Sequence, residues 1–178
     1  MIAGYAKNGQ SLESLELFRQ MKKAGLKPEP KTYASVLPAC ANLAALEQVM
    51  EIHEEITRNG FQFNDIVANS LVDTYVKCGM IDKARDLFEK MNRHDLVSWN
   101  TMMGGYAMQG YSRESLKLFE QMQHCGMKPD DVTLLGIISA CCHSGLVDEG
   151  QRYFNSMSQY YHLMPSMEHY VCIFDLLS

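Results

Sequence analysis

Hydrophobic positions recur along this chain with the period of an α-helix. The clearest stripe follows the spacing i, i+3, i+4 and i+7 and consists of Tyr33, Val36, Leu37 and Cys40. Such spacing places the apolar side chains on one face of a helix. Similar stripes run from one end of the chain to the other, and segments that contain glycine or proline separate them. The pattern predicts eleven helices, joined in pairs as hairpins.

One segment of the chain occurs twice. Residues 1–28 and 102–129, which lie 101 positions apart, are identical at 16 of 28 positions without a gap. A shorter copy lies between them at residues 85–91. It matches residues 116–122 of the second copy, 31 positions further along the chain. Self-similarity of this kind is the signature of a repeat protein.

The hairpins divide the chain into six repeats. The four complete ones have lengths of 35, 31, 35 and 36 residues and span 30–64, 65–95, 96–130 and 131–166; residues 1–29 form a truncated first repeat, and residues 167–178 open a sixth. One hairpin cannot cover its own apolar stripe, so neighbouring hairpins must stack. The expected fold is all-α, an α-solenoid of stacked helical hairpins with a concave inner face. Because its ends fall inside repeats, the chain is expected to be a fragment.

Composition and charge narrow the possible functions. The 178 residues are 47 % hydrophobic, yet no apolar run approaches the roughly 18 residues of a membrane span. The net charge of −5 argues mildly against nucleic acid, since phosphate binding usually leaves a basic surface. The six cysteines form no CxxC pair and are expected to be reduced thiols, and the six histidines show no ligand spacing. We therefore expect no metal and no cofactor.

The fourth repeat resembles a known family. Asn100 followed by hydrophobic residues and Gly-Tyr, the second helix ESLKLFEQM and the exit Gly-Met-Lys-Pro-Asp are similar to the pentatricopeptide repeat (PPR). The series of lengths resembles the plant organellar subclass whose repeats alternate as P, L and S types. The nearest alternative, the tetratricopeptide repeat, keeps a period of 34 and does not alternate.

This resemblance implies a type for each repeat and a right-handed superhelix. In order, the types are a truncated P repeat (1–29), L (30–64), S (65–95), P (96–130), L (131–166) and the start of an S repeat (167–178). The last two are similar to the final L and S repeats that precede C-terminal extension domains in this subclass. The chain is therefore expected to come from the C-terminal end of the repeat array.

The resemblance also implies a function. Such arrays bind single-stranded RNA, one base per repeat, and the family is linked to RNA processing and most often to C-to-U editing in the mitochondrion or the chloroplast. Editing accessory proteins, or a deaminase domain in the same or another chain, would be further partners. Catalytic residues are not expected here, because the His-x-Glu and Pro-Cys-x-x-Cys motifs of a zinc deaminase are absent from the sequence.

In the family, the fifth residue of a repeat hydrogen-bonds the base edge and the last residue supports it. Carried over to this sequence, the S repeat offers Asn69 with Asp95, and the P repeat offers Asn100 with Asp130. Asparagine followed by aspartate resembles the pair that prefers uracil, so two adjacent uridines are expected. The L repeats depart from this pattern, since their fifth residues include Leu135, which cannot form a side-chain hydrogen bond.

Two further sets of residues follow from the resemblance. The second residues of three successive repeats, Ile66, Val97 and Val132, are expected to sandwich the two bases. Lys7 and Lys77 lie late in their first helices, where the family places a phosphate contact. With so few basic contacts, weak binding is expected.

Each assignment has a simpler alternative. Asn69 and Asn100 could be polar residues on a solvated helix face, and Asp95 and Asp130 could cap the helices that follow them. Several aromatic and sulfur-containing residues fall on the apolar stripes and are expected to lie in the core: Trp99, the tyrosines and methionines, Cys40, Cys141 and Cys172. For the chain as a whole, a scaffold that binds a protein or peptide is the alternative function, and the acidic balance favours it.

Overall fold

The computed structural model describes residues 1–177, and all regular structure in that range is α-helical. The helices are α1 (Ile2–Lys7), α2 (Ser11–Lys23), α3 (Pro30–Asn42), α4 (Leu46–Arg58), α5 (Asp65–Lys77), α6 (Ile81–Lys90), α7 (Leu96–Met108), α8 (Ser112–His124), α9 (Asp131–His143), α10 (Val147–Gln159) and α11 (Met167–Leu177). The prediction of eleven helices is confirmed for this range. The predicted sixth repeat extends to position 178, which lies outside the described residues.

The helices form two compact units. The first, Met1–Arg93, contains the hairpins α1/α2, α3/α4 and α5/α6, and α3 packs between α1 and α5. The second begins at His94 and contains the hairpins α7/α8 and α9/α10, with α9 packed between α7 and α11. Within each unit, therefore, the first helices of successive hairpins pack side by side.

The apolar stripes form the core of each unit, as expected. In the first unit Tyr33, Val36, Leu37 and Cys40 are fully buried. In the second, the buried set includes Trp99, Met102, Met103, Leu134, Ile137, Ile138 and Cys141. The prediction was wrong for Cys172, which is half-buried, and for eight exposed residues: Met1, Met50, Met108, Tyr111, Tyr160, Met164, Met167 and Tyr170. Most of these lie at helix ends or between helices, where fewer neighbours cover a side chain.

A buried serine ties the two helices of a hairpin together in both copies of the repeated segment. Ser14 Oγ of α2 donates to the carbonyl oxygen of Ile2 in α1 at 3.2 Å. Ser115 Oγ of α8 donates to the carbonyl oxygen of Met103 in α7 at 3.0 Å. Because both partners are displaced by the same 101 positions, the repeat preserves a specific contact between helices as well as a hydrophobic pattern.

The turns between helices require a left-handed residue. Gly110, two positions after α7, has φ of +78°, a conformation that glycine adopts without steric cost. Ala44 occupies the equivalent place after α3 and has φ of +50°. Its Cβ approaches the following carbonyl oxygen there, which costs roughly 1 kcal/mol.

None of the helices within residues 1–177 combines the length and the apolar character needed to cross a bilayer.

Candidate nucleic-acid interface

A cluster of hydrogen-bonded polar side chains in the second unit joins Asn100 to Asp130 and Thr133. Asn100 lies in α7, whereas Asp130 and Thr133 lie at the start of α9, which packs against α7. The Asn100 Nδ2 group donates to Asp130 Oδ1 at 3.0 Å. On the other side of the same amide, Thr133 Oγ1 lies 2.7 Å from Asn100 Oδ1. The structure thus brings together the two residues that the resemblance paired, and adds a third.

Asp130 also caps α9. The Thr133 amide nitrogen donates to Asp130 Oδ1 at 2.8 Å, and the Asp130 amide nitrogen donates to Thr133 Oγ1 at 3.2 Å. These reciprocal bonds form a capping box, which satisfies backbone donors that the first turn of a helix leaves without partners. Asp130 therefore caps α9 and contacts Asn100 at the same time.

Asp130 is a carboxylate over the neutral pH range. Burial is the largest single influence and would raise the pKa of Asp130, but hydrogen bonds from Thr133 and Asn100 outweigh it. Together they hold the pKa below its ordinary value of 3.8. A charged acceptor strengthens the bond that the Asn100 amide donates.

The second expected pair, Asn69 and Asp95, belongs to different units. Asn69 is half-buried on α5 of the first unit. Asp95 begins the second unit as the N-cap of α7, and its side chain accepts a hydrogen bond from the Ser98 amide nitrogen at 2.8 Å. Ser98 Oγ in turn donates to the Asp95 carbonyl oxygen at 2.8 Å. The pairing of Asn69 with Asp95 stays a prediction.

The last residue of a repeat contributes to the start of the next first helix in other repeats too. Asn64 accepts a hydrogen bond from the Val67 amide nitrogen at 3.3 Å. Ser166, whose amide nitrogen donates to His169 Nδ1 at 3.1 Å, precedes α11. His169 Nε2 lies 3.0 Å from the Asp131 carbonyl oxygen, so His169 joins α11 to α9. The sequence assigned no chemistry to this histidine.

The three aliphatic residues expected to sandwich bases are exposed. Ile66, Val97 and Val132 are 53 %, 61 % and 55 % exposed, and each is the second residue of its helix. A single exposed aliphatic side chain is ordinary. Three at the same helical position leave an apolar contact surface beside each candidate base-reading residue, although their role in stacking stays a prediction.

The two lysines expected at phosphates differ in their surroundings. Lys7 is exposed at the last position of α1. Lys77 is exposed at the last position of α5, but its Nζ forms an ion pair with Asp73 Oδ2 at 2.7 Å. A phosphate would have to compete with Asp73, which lowers the expected contribution of Lys77 to binding. The sequence carried a signal for this pair, since Asp73 and Lys77 are four residues apart on one helix.

Sequence reasoning also missed Thr133. Its signal was the spacing from Asp130, because an N-cap aspartate and an acceptor side chain three residues later can form the reciprocal bonds of a capping box. Within residues 1–177, no group of three or more histidine, cysteine, aspartate or glutamate side chains is placed to hold a metal ion.

Fold and site together define a helical-repeat protein in which polar residues lie where first helices begin. Comparison with known families identifies the repeat. The family described as PPR repeat family matches residues 1–42 and 94–143, and the one described as PPR repeat matches residues 66–96 and 132–161. This chain belongs to the PPR repeat family.

Curated relatives from Arabidopsis thaliana are similar over the whole chain. The chloroplastic pentatricopeptide repeat-containing protein DOT4 is 45 % identical over 179 residues, which are 100 % of this chain and 21 % of the relative. A mitochondrial pentatricopeptide repeat-containing protein is 45 % identical over 99 % of this chain and 28 % of its own length. The chain spans about a quarter of the length of the curated relatives it matches.

Solved structures show the same fold at low sequence identity. Maize PPR10 matches with a TM-score of 0.71 and 23 % identity over 99 % of this chain and 26 % of that one. The PPR domain of A. thaliana PRORP1, solved in complex with tRNA, matches with a TM-score of 0.76 and 14 % identity over 99 % of this chain and 94 % of that domain. The predicted class, an all-α solenoid of helical hairpins, is confirmed.

Proposed function

We propose that this chain is part of the RNA-binding array of an organellar PPR protein, in which it binds single-stranded RNA sequence-specifically. The observation that carries the proposal is the hydrogen bonding of Asn100. Its amide is held between Asp130 and Thr133, yet the side chain is only half-buried. A primary amide has two N–H groups and two lone pairs. One N–H and one lone pair therefore remain for a base edge.

The similarity to PPR10 and PRORP1 supports this proposal. PPR10 has been solved in complex with an 18-nucleotide psaJ RNA element, with a TM-score of 0.74 to this chain, and PRORP1 with tRNA. Exposed Val97 and Val132 are the second residues of the two helices that carry Asn100 and Thr133, and in this proposal they offer apolar surface to the same base. PPR repeats read RNA at one base per repeat, which suits two successive repeats, 65–95 and 96–130, that each carry an asparagine in the fifth place.

The finer assignment is to the PLS subclass, near the C-terminal end of the array. The first helices after α1 begin at Pro30, Asp65, Leu96, Asp131 and Met167, which supports the proposed succession of long and short repeats. Relatives named chloroplastic and mitochondrial support an organellar location. In this role the segment would guide RNA processing such as C-to-U editing, with accessory proteins or a deaminase domain as partners.

Catalysis would come from another domain or another protein. We expect the purified chain to leave cytidine in RNA unchanged, with or without added zinc, because the zinc ligands and the general acid/base glutamate of a deaminase are missing from its sequence. Edited product formed by the purified chain alone would contradict this.

The experiment that tests RNA reading is the substitution Asn100→Thr. The resemblance implies that threonine with aspartate favours guanine, so preference should move from uracil to guanine at one nucleotide while affinity for the best RNA survives. Loss of a good base contact changes discrimination by roughly 1–3 kcal/mol. Binding is measured by fluorescence anisotropy on decamers of adenosine whose two central positions carry every combination of bases.

Asn155→Thr is the matched control. Asn155 is an exposed residue of α10 in the same unit, so the same chemical change there should leave base preference within about 0.5 kcal/mol of the wild type. An Asn100→Thr chain whose base preference equals that of the wild type would make Asn100 an ordinary surface residue and would favour a protein-binding scaffold.

One surface favours that second function. A groove of about 260 Å³ lies between α2 and α4 of the first unit. Buried apolar residues line it together with basic residues of α2 and acidic residues of α4: Leu15, Phe18, Ile52, Arg19, Lys22, Lys23, Glu51 and Glu55. Lys22 and Glu55 pair across it. A wild-type chain that binds all the decamers equally would favour a protein partner over RNA.

A further inference from the structure

The hydroxyl of Thr133 lies between the two residues proposed to read a base. Thr133 is the third residue of α9 and is 1 % exposed. Its Oγ1 lies 2.7 Å from Asn100 Oδ1 and 2.7 Å from Asp130 Oδ1. It also accepts a hydrogen bond from the Asp130 amide nitrogen at 3.2 Å. Although it belongs to the next repeat, this buried side chain contacts the amide that Asn100 presents.

A hydroxyl has one proton, so Thr133 donates to one of these two oxygens at a time. Asp130 Oδ1 already receives two N–H donors, from Thr133 at 2.8 Å and from Asn100 at 3.0 Å. Among the hydrogen bonds of residues 1–177, by contrast, Asn100 Oδ1 receives the Thr133 hydroxyl alone. A buried or half-buried acceptor without a donor is costly. The Thr133 hydroxyl therefore donates its proton to Asn100 Oδ1 and not to Asp130 Oδ1.

This bond acts on the orientation of the amide. With Asp130 accepting and Thr133 donating, Nδ2 faces Asp130 and Oδ1 faces Thr133. Turning the amide over would place Oδ1 against a carboxylate and would leave the Thr133 hydroxyl without this acceptor. The donor and the acceptor that Asn100 offers to a ligand therefore stand in one fixed order.

The order of donor and acceptor separates the two pyrimidines. Uracil carries an N–H at ring position 3 and a carbonyl oxygen at position 4, whereas cytosine carries an acceptor nitrogen at position 3 and an amino group at position 4. An amide that could turn over would match either edge. An amide held in one orientation matches one of them, provided that the backbone of the RNA sets how the base enters.

We propose that Thr133 is a positioning residue that sets the preference for uracil over cytosine at Asn100. This rests on the proposed function, since it concerns how that same site reads a base. Thr133 acts through the Asn100 amide and, being buried, does not touch the RNA. The specificity of one repeat thus depends on the third residue of the next.

The test removes the hydroxyl and keeps the shape. Thr133→Val replaces it with a methyl group, and Thr133→Ser restores a hydroxyl. Ser98→Ala is the matched control at the third residue of α7, where the Ser98 hydroxyl donates to the Asp95 carbonyl oxygen. Each whole chain is titrated with adenosine decamers that carry UU, UC, CU or CC at the centre. Fluorescence of Trp99, the single tryptophan of the chain, checks the folding of the second unit.

We expect the wild type to bind UU best and to lose roughly tenfold in affinity for each cytosine, as for a good base contact. In Thr133→Val, one of the two decamers with a single cytosine, UC or CU, should bind no more than about twofold more weakly than UU. The affinity of this variant for UU itself should change little. Thr133→Ser should restore the full discrimination, and Ser98→Ala should keep it. Should the valine variant not fold, Thr133→Ala takes its place.

Two failures are distinguishable. A wild type with equal affinity for all four decamers overturns the proposed function itself, and the inference falls with it. A wild type that prefers uracil at both positions, together with folded Thr133→Val and Thr133→Ala chains that keep that preference in full, overturns the role of Thr133 alone. A merely structural role for Thr133 would lower stability in both variants and would leave the ratio between uracil and cytosine unchanged.

Discussion

Asp130 combines helix capping with orientation of Asn100, and two substitutions separate these roles. Asp130→Ala removes the acceptor of the two hydrogen bonds that Oδ1 receives from the Thr133 amide and the Asn100 amide. Asp130→Ser keeps a side-chain oxygen that can cap α9, since serine and aspartate are about equally good at this position. The shorter serine does not supply a carboxylate to Asn100.

The magnitudes follow from these contacts. Loss of the cap costs about 1 kcal/mol. The bond from the Asn100 amide to a charged acceptor is shared with solvent, because both residues are only half-buried, and it contributes about 1 kcal/mol more. Asp130→Ala should therefore lower the free energy of unfolding of the second unit by about 2 kcal/mol at pH 7, and Asp130→Ser by about half as much.

The difference between wild type and Asp130→Ala should depend on pH. Because the folded chain holds the pKa of Asp130 below its ordinary value of 3.8, the stabilisation is fully present above that value. It should fall as the pH drops through the lower pKa of the folded state, where the carboxyl group becomes protonated. The advantage of the wild type should therefore shrink in strong acid and stay constant from neutral pH to mildly acidic pH.

Urea denaturation followed by Trp99 fluorescence measures these differences, because the only tryptophan lies in α7 of the same unit. Base preference is measured on the same proteins with the adenosine decamers. Asp130→Ser should recover stability without recovering the preference for uracil. Equal loss of stability in both variants would refute the capping argument, and an unchanged preference for uracil in both would refute the contact with Asn100 as the basis of base reading.

Three further predictions concern the rest of the chain. Ala44→Gly should raise the free energy of unfolding of the first unit by up to about 1 kcal/mol, because glycine adopts the left-handed turn without strain; a loss of stability in a urea titration followed by circular dichroism would contradict this. Ser115→Ala should destabilise the second unit by about 1 kcal/mol through its lost bond to the Met103 carbonyl oxygen, and Trp99 fluorescence measures this. RNA affinity should fall with salt at a slope of about −1.4 if Lys7 and Lys77 each meet one phosphate; Lys77→Ala should reduce the slope by about 0.7, and an unchanged slope would remove Lys77 from the interface.

Most of the fold could be predicted from the sequence because its determinants are local. The stripe from Tyr33 to Cys40 needs only the 3.6-residue period of a helix to place its members on one face. Glycine two positions after a helix, as at Gly110, ends that helix wherever it occurs. Ala44 breaks this local rule, because no glycine marks the turn after α3. Only the backbone shows that a left-handed residue is still present there.

Part of the candidate site was equally local. Asp130 and Thr133 are three residues apart at a helix start, so the capping box between them is encoded in that spacing. The ion pair of Asp73 with Lys77 follows in the same way from two charges on successive turns of one helix. Neither needs the rest of the chain, and both were within reach of sequence reasoning.

Tertiary structure alone decided how Asn100 is held. The bond between Thr133 and Asn100 joins residues 33 positions apart on different helices, and it forms because α9 packs against α7. The exposure of Val97 and Val132 is decided in the same way, since a hydrophobic residue at a helix start is buried or exposed according to which neighbouring helix covers it. Periodicity determines which residues share a face of one helix, whereas the packing of one helix on another determines which of those residues meet.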